Sequence, residues 1–264
     1  MHIQYLSPLP HGEFRVEIQD LKLGSKHSVI QVELKSSNPS AGPSIIALIT
    51  LGNLAAKGHS IIPPTVSLPD REKDCARWTD AVFFNLAPTS AKMRSYVRKG
   101  ESTLLWSPAM GQNKRDMWVK LDDDNDNFDF SHLGFLVDMV CTPSLQTSMF
   151  SQFFRRKGLG GKTDQMQVPD IPLNYEKGGM MGIMKWAFVT ICLSLDIRRD
   201  PRGEEWLLQR TTMNECKDGR FDQEVKLYSE NGELVASSTH SCLMIARRSK
   251  AEGKGRDLKK GAVL

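Results

Sequence analysis

Asp138 is a carboxylate in apolar company. The run Phe130-Ser131-His132-Leu133-Gly134-Phe135-Leu136-Val137-Asp138-Met139-Val140 predicts a short helix with apolar side chains on nearly every face, so the helix is expected to be buried while carrying one acid. Burying an unpaired carboxylate is costly. Desolvation raises its pKa and it demands hydrogen-bond partners, the combination from which a general base for activating water is made. The same residue also fits a purely structural role, tying down a backbone or side-chain donor. Thr190 places a hydroxyl inside the apolar, strand-like run Trp186 to Leu195, where it is either satisfied by a neighbour or directed at a pocket. His240 lies on the last strand-like run and shares a face with Ala236, Ser238, Cys242 and Met244 by two-residue alternation. An imidazole there is either a hydrogen-bonded core residue or a proton-handling group that titrates near neutral pH. Cys192, two residues from Thr190, is a conceivable nucleophile with His240 as its base, although nothing marks its thiol as activated.

Other suggestive patterns fail on their own chemistry. Asp122-Asp123-Asp124-Asn125-Asp126-Asn127 starts like a calcium loop, but Asn127 stands where the turn needs Gly and Leu133 where the bidentate Glu is needed. A solvated acidic loop that favours the start of the following helix accounts for it. Gly158-Leu159-Gly160-Gly161-Lys162 lacks the GxxxxGK[ST] spacing and a strand leading into it. It reads as flexible, or alternatively as a substrate lid. No metal and no cofactor is implied.

The elements that must position these groups show an internal duplication. Pro10-His11-Gly12-Glu13-Phe14 and Pro201-Arg202-Gly203-Glu204-Glu205-Trp206 open similar three-strand patterns. The first continues through Phe14, Val16 and Ile18, a turn at Gly24-Ser25, a run from Ser28 to Leu34 and another from Ile45 to Leu51. The second continues from Trp206 to Cys216, through a turn at Asp218-Gly219, Phe221 to Tyr228, an Asn231-Gly232 turn, and Leu234 to Ile245. Strand meanders joined by short hairpins are expected in both. Residues 1–55 form the first unit and residues 56–78, rich in proline and polar side chains, a linker. The second unit spans 79–248, with strands near Ala81 to Ala87, Thr103 to Trp106 and Met117 to Leu121 before the helix, and an insertion at 150–182. Residues 249–264 form a basic tail. The first meander has no helix ahead of it, so the chain is expected to begin partway through its first unit.

Composition narrows the function classes. With 264 residues, 40% hydrophobic and 25% charged, the chain has room for one large or two small cores. Five cysteines, Cys75, Cys141, Cys192, Cys216 and Cys242, are odd in number and without CxxC spacing, which argues against a disulfide framework or structural zinc. The net charge of +4 is a property of the tail: residues 247–264 hold seven Lys/Arg against Glu252 and Asp257, leaving the body slightly acidic. No aromatic residues interleave with those charges, so nucleic-acid binding is not expected. Without a secretory start, an unbroken apolar span or a peroxisomal ending, a cytoplasmic location and no membrane span are expected.

A helix set against an antiparallel sheet, occurring twice, resembles the double hotdog proteins of the acyl-CoA thioesterase II type, especially their fungal thioesterase-like relatives. Phe135-Leu136-Val137-Asp138, Pro143-Ser144-Leu145, Thr190-Ile191-Cys192, Glu205-Trp206-Leu207-Leu208 and Leu234-Val235-Ala236-Ser237-Ser238-Thr239-His240 follow that family's second hotdog in order. The resemblance covers most of residues 1–55 and 79–246 and implies an α+β double hotdog, with the first unit incomplete. It also implies that Asp138, Thr190 and His240 occupy the positions that hold a hydrolytic water. His240 stands where the family has Gln, and the first-unit helix whose backbone helps polarise the thioester carbonyl has no counterpart after Met1, which weakens oxyanion stabilisation.

Hydrolysis of a fatty acyl-CoA or another acyl thioester is therefore expected, with Asp138 as general base on a water oriented by Thr190 and His240 in fatty acid metabolism. The rival is a catalytically silent hotdog that binds an acyl or polyketide intermediate. Enoyl thioester hydration uses the same fold but places its His on or beside the helix, unlike His240. Apolar surface left open by an incomplete first unit points to a homo-oligomer.

Overall fold

A computed structural model describes residues 1–9, 11–38, 41–56, 59, 61, 66–77, 93–98, 114–122, 127–139 and 186–246. The strands expected at Ala81 to Ala87 and Thr103 to Trp106, the insertion at 150–182 and the tail at 249–264 lie outside the described residues. Four strands come first: β1 (His2–Tyr5), β2 (Phe14–Lys22), β3 (His27–Ser36) and β4 (Pro43–Gly52). Then follow β5 (Cys75–Arg77), β6 (Met93–Arg98), β7 (Lys114–Leu121) and the helix α1 (Phe130–Asp138). The chain continues with β8 (Trp186–Ile197), β9 (Leu207–Thr212), β10 (Cys216–Lys217), β11 (Arg220–Tyr228) and β12 (Leu234–Ala246).

All twelve strands belong to one antiparallel sheet in the order β2-β3-β4-β1-β8-β12-β11-β9-β7-β6-β5, with β10 paired to β11. The order mirrors itself about the β1–β8 pair: β1 follows a β2-β3-β4 meander on one side as β8 follows β9-β11-β12 on the other. The hairpins form where the turn residues allow. Asp218 and Gly219 both have positive φ (50° and 74°), the pair of left-handed residues that a tight two-residue turn needs, and Gly232 has φ 78°.

Side-chain alternation separates the two faces of the sheet. On the inner face Val97, Met117, Gln209, Leu227, Ala236 and Ile197 stand in register across six strands. Leu133, Leu136 and Val137 of α1 pack onto this face with Val119, Leu193, Leu207 and Val225 to form the main core. On the outer face Tyr96, Trp118, Leu208, Tyr228 and Leu234 form a second row, covered by Val66 and Leu68 from the connecting segment. That segment does more than join units: Trp118 Nε1 donates to the Pro69 carbonyl at 3.0 Å, and the segment ends in β5, which pairs with β6. Because both faces are covered, consecutive residues Met117, Trp118 and Val119 of β7 are all buried.

Three strands escaped the sequence patterns, β5 among them, which lies within the stretch read as a linker. In β6 the polar Ser95 faces inward and Tyr96 outward, which blurs the alternation. β1 is four residues long and owes its conformation to β4 and β8, which flank it. The helix begins at an Asp129 cap whose carboxylate accepts from Ser131 N at 2.8 Å, while the Asp129 amide donates to His132 Nδ1 at 3.2 Å. The cap is Asp129; residues 123–126 of the acidic loop lie outside the described residues.

Candidate active site

The site lies where the C-terminal end of α1 meets β8 and β12. Gln209 is the one polar member of the inner-face row described above, and its amide donates to the Leu136 carbonyl in the last turn of α1 at 2.5 Å. That bond satisfies a carbonyl the helix cannot pair by itself and fixes the turn that carries Asp138.

Thr190 reaches the inner face through an irregularity. Along β12 and β8 the partners run His240 with Leu193 and Ser241 with Cys192, then jump to Cys242 with Thr190. Ile191 is therefore an extra residue, a bulge that turns Thr190 to the same side as Leu193 and His240. Regular alternation would have put the hydroxyl on the opposite face.

The three residues singled out in the sequence come together. Thr190 Oγ1 donates to Asp138 Oδ1 at 2.9 Å, and His240 Nδ1 lies 3.5 Å from the same oxygen. Two further groups extend the chain of contacts. Ser238 Oγ sits 2.8 Å from His240 Nε2, and the Cys242 thiol points at Thr190 Oγ1 at 3.9 Å. Among the described residues Oδ2 of Asp138 has no partner.

Asp138 is more open than its apolar neighbours imply. Its side chain keeps 37% of its exposure, against 1% for His240. The reason is helical geometry: Leu133, Leu136 and Val137 face the sheet, and Ser131, Phe135 and Asp138, spaced four and three apart, form an exposed stripe. The expectation of a carboxylate kept out of bulk water is corrected accordingly: it is anchored on one oxygen and accessible at its rim.

Burial shapes the surrounding groups. Burial, and then the Asp138 charge, push the Tyr5 hydroxyl up to about 12. Burial likewise pushes the Cys242 thiol up to about 11, opposed by its contact with Thr190 and reinforced by Asp138. Both groups stay protonated at neutral pH, so Cys242 acts as a weak donor rather than a nucleophile. Cys192 pairs with Ser241 and so takes the outer face, away from His240, which removes the covalent cysteine route. Sequence reading missed Ser238 and Tyr5 as site members. Ser238 was already on the His240 face by alternation; Tyr5 carried no signal, because it arrives from β1, almost two hundred residues away along the chain from β8.

Residues 64–244 match the family described as acyl-CoA thioesterase C-terminal domain. The thioesterase-like protein TwmA of Talaromyces wortmannii is 23% identical, over 93% of this chain and 76% of its own length. Among solved structures, the acyl-CoA thioesterase II TesB2 of Mycobacterium marinum has a TM-score of 0.63 at 13% identity, covering 93% of this chain and 79% of that one. A protein with a hot dog fold from Alicyclobacillus acidocaldarius has a TM-score of 0.60 at 14% identity, covering 94% and 78%. At such identities the likeness is one of fold: a helix laid on a broad antiparallel sheet.

Proposed function

This chain belongs to the acyl-CoA thioesterase C-terminal domain family, and from that membership we propose that it hydrolyses a fatty acyl-CoA or a related acyl thioester as a double hotdog. The observation that carries the reading is the convergence of Thr190 and His240 on a single oxygen of Asp138. With Oδ1 taking the Thr190 hydrogen bond and His240 Nδ1 3.5 Å away, Oδ2 is left to take a proton from water. The water oxygen then bonds to the thioester carbonyl carbon, the carbon–sulfur bond breaks, and the proton on Asp138 passes to the departing thiolate, giving a carboxylic acid and a free thiol.

His240 acts on the carboxylate rather than directly on the water. A lone pair on Nδ1 would face an anionic oxygen, so an ionised Asp138 favours the tautomer with the proton on Nδ1. Nε2 is then an acceptor, and the Ser238 hydroxyl donates to it. On this reading the Ser238 proton points to Nε2 and the Nδ1 proton to Asp138.

Release of free thiol from a panel of acyl-CoA chain lengths tests the reading. Asp138→Asn is expected to lower turnover about 10²- to 10⁴-fold with little change in KM. Undiminished turnover would remove Asp138 from the role.

A second reading, binding of an acyl or polyketide thioester without cleavage, draws support from His240: both of its nitrogens are engaged inside the protein, so it is not free to grip a water. Saturable binding of a thioether analogue with no thiol release from the matching thioester would favour it.

A further inference from the structure

Tyr5 brings a hydroxyl from the first meander to the site built on α1, β8 and β12. Along β1, Met1, Ile3 and Tyr5 pack toward the main core, and Tyr5 pairs with Ile45 of β4. On its other side the pairing of β1 with β8 runs Ile3 with Leu193 and Gln4 with Cys192, and it stops where the bulge at Ile191 begins. The next residue, Tyr5, therefore stands on the inner face beside the bulge that turns Thr190 inward, and Thr190 holds Asp138.

Tyr5 is half-buried, and among the described residues its hydroxyl has no hydrogen-bond partner. A phenylalanine would fill the same space without taking a polar group out of water, so an unpaired phenol at this depth calls for a partner from outside the chain. Burial, and then the Asp138 charge, keep the hydroxyl protonated, hence a donor at neutral pH. The donor feels the charge of Asp138 without bonding to it, which is the spacing that a reacting group set between the two requires.

Water and a substrate carbonyl are the two acceptors such a space can hold. The attacking water gives a proton to Oδ2 and needs its lone pair for the carbonyl carbon; a bond from the phenol would draw on that pair and slow the attack. The carbonyl oxygen gains negative charge during the same attack and is stabilised by a donor.

We propose that the Tyr5 hydroxyl donates to the carbonyl oxygen of the bound acyl thioester. The contact rests on the reading that such a thioester binds beside Asp138. The phenol keeps its proton throughout; its hydrogen bond strengthens as charge builds on the oxygen and relaxes when the carbon–sulfur bond breaks.

Two coenzyme A analogues separate the carbonyl from the rest of the ligand: a ketone with CH2 in place of sulfur, which keeps the carbonyl, and a thioether, which keeps the sulfur and lacks the carbonyl. Tyr5→Phe is expected to weaken the ketone about three- to tenfold, the worth of one hydrogen bond. The thioether is expected to bind parent and variant equally, which also shows that the variant folds. With the matching thioester, kcat of the variant is expected to fall about 10²-fold, because the bond is stronger in the transition state, while KM changes no more than the ketone affinity does. Equal affinity of parent and variant for the ketone, or equal losses for both analogues, overturns the contact; hydrolysis still stands in that case if Asp138→Asn stops thiol release. A parent chain that binds the ketone through Tyr5 yet releases no thiol keeps the contact and removes hydrolysis. A parent chain that binds neither analogue removes both.

Discussion

Ser238 Oγ lies 2.8 Å from His240 Nε2, two residues along the same strand and on the same buried face. The contact holds the ring in one orientation, and its Nδ1 toward Asp138.

Removing that hydroxyl should loosen the imidazole without unfolding the sheet. Ser238→Ala is expected to reduce kcat roughly three- to tenfold, the worth of one hydrogen bond, with KM nearly constant. Nitrogen NMR of labelled histidine should show His240 protonated on Nδ1 in the parent and a mixture of tautomers in the variant. Protonation on Nε2 in the parent would contradict the assignment, whatever the activity.

Thr190 should matter for its hydroxyl rather than its shape. Thr190→Val keeps the volume but leaves Asp138 one donor short, and kcat should fall about tenfold. Thr190→Ser, which keeps the donor, should recover most of it. Equal losses in the two variants would mean that packing, not the hydrogen bond, is what counts.

Gln209 joins stability to the site. Gln209→Leu leaves the Leu136 carbonyl buried without its donor, at a cost of about 1–3 kcal/mol, or roughly 2–4 °C of Tm per kcal/mol in a chain of this size. Turnover below the melting range should fall as well, because the last turn of α1 loses its anchor. An unchanged Tm would show that the carbonyl finds another partner.

The outer face holds a more expensive contact. Asp116, fully buried at its side chain, takes two bonds of 2.7 Å from Arg210, with Arg98 3.8 Å away. Asp116→Ala should destabilise by about 3–5 kcal/mol, since it strands a partly buried guanidinium, whereas Asp116→Leu together with Arg210→Met should regain much of that loss. Denaturant titration of the three proteins checks the order.

Alkaline pH should weaken the fold through Tyr5 and Cys242. Both have folded-state pKa values above their ordinary ones, about 12 against 10.0 and about 11 against 9.0. Folding therefore favours their protonated forms. Their contribution is complete below about pH 9 and is lost as the pH climbs through 11 to 12. The urea midpoint of Tyr5→Phe should decline less steeply over that window than the parent's. Parallel declines would show that Tyr5 takes no part.

The sequence patterns reached most of the sheet because alternation is a local signal. β8 begins at the expected Trp186 and runs two residues past Leu195, the hairpin at Asp218-Gly219 follows from its turn chemistry, and α1 follows from its dense apolar run. What escaped is non-local. β1 becomes a strand because β4 and β8 flank it, Tyr5 reaches the site only through that pairing, and the exposed stripe through Asp138 depends on which side of α1 meets the sheet. The inward turn of Thr190 could not be read at all, because a bulge is defined by the partner strand's residue count.

That extra residue at Ile191 has a consequence for comparing this chain with its relatives. Losing a single amino acid from β8 would carry the hydroxyl through the sheet while leaving every named residue spelled the same. Agreement in letters at three positions is thus a poor guide to competence in this family; the spacing between the threonine and the leucine three places on is the more telling mark.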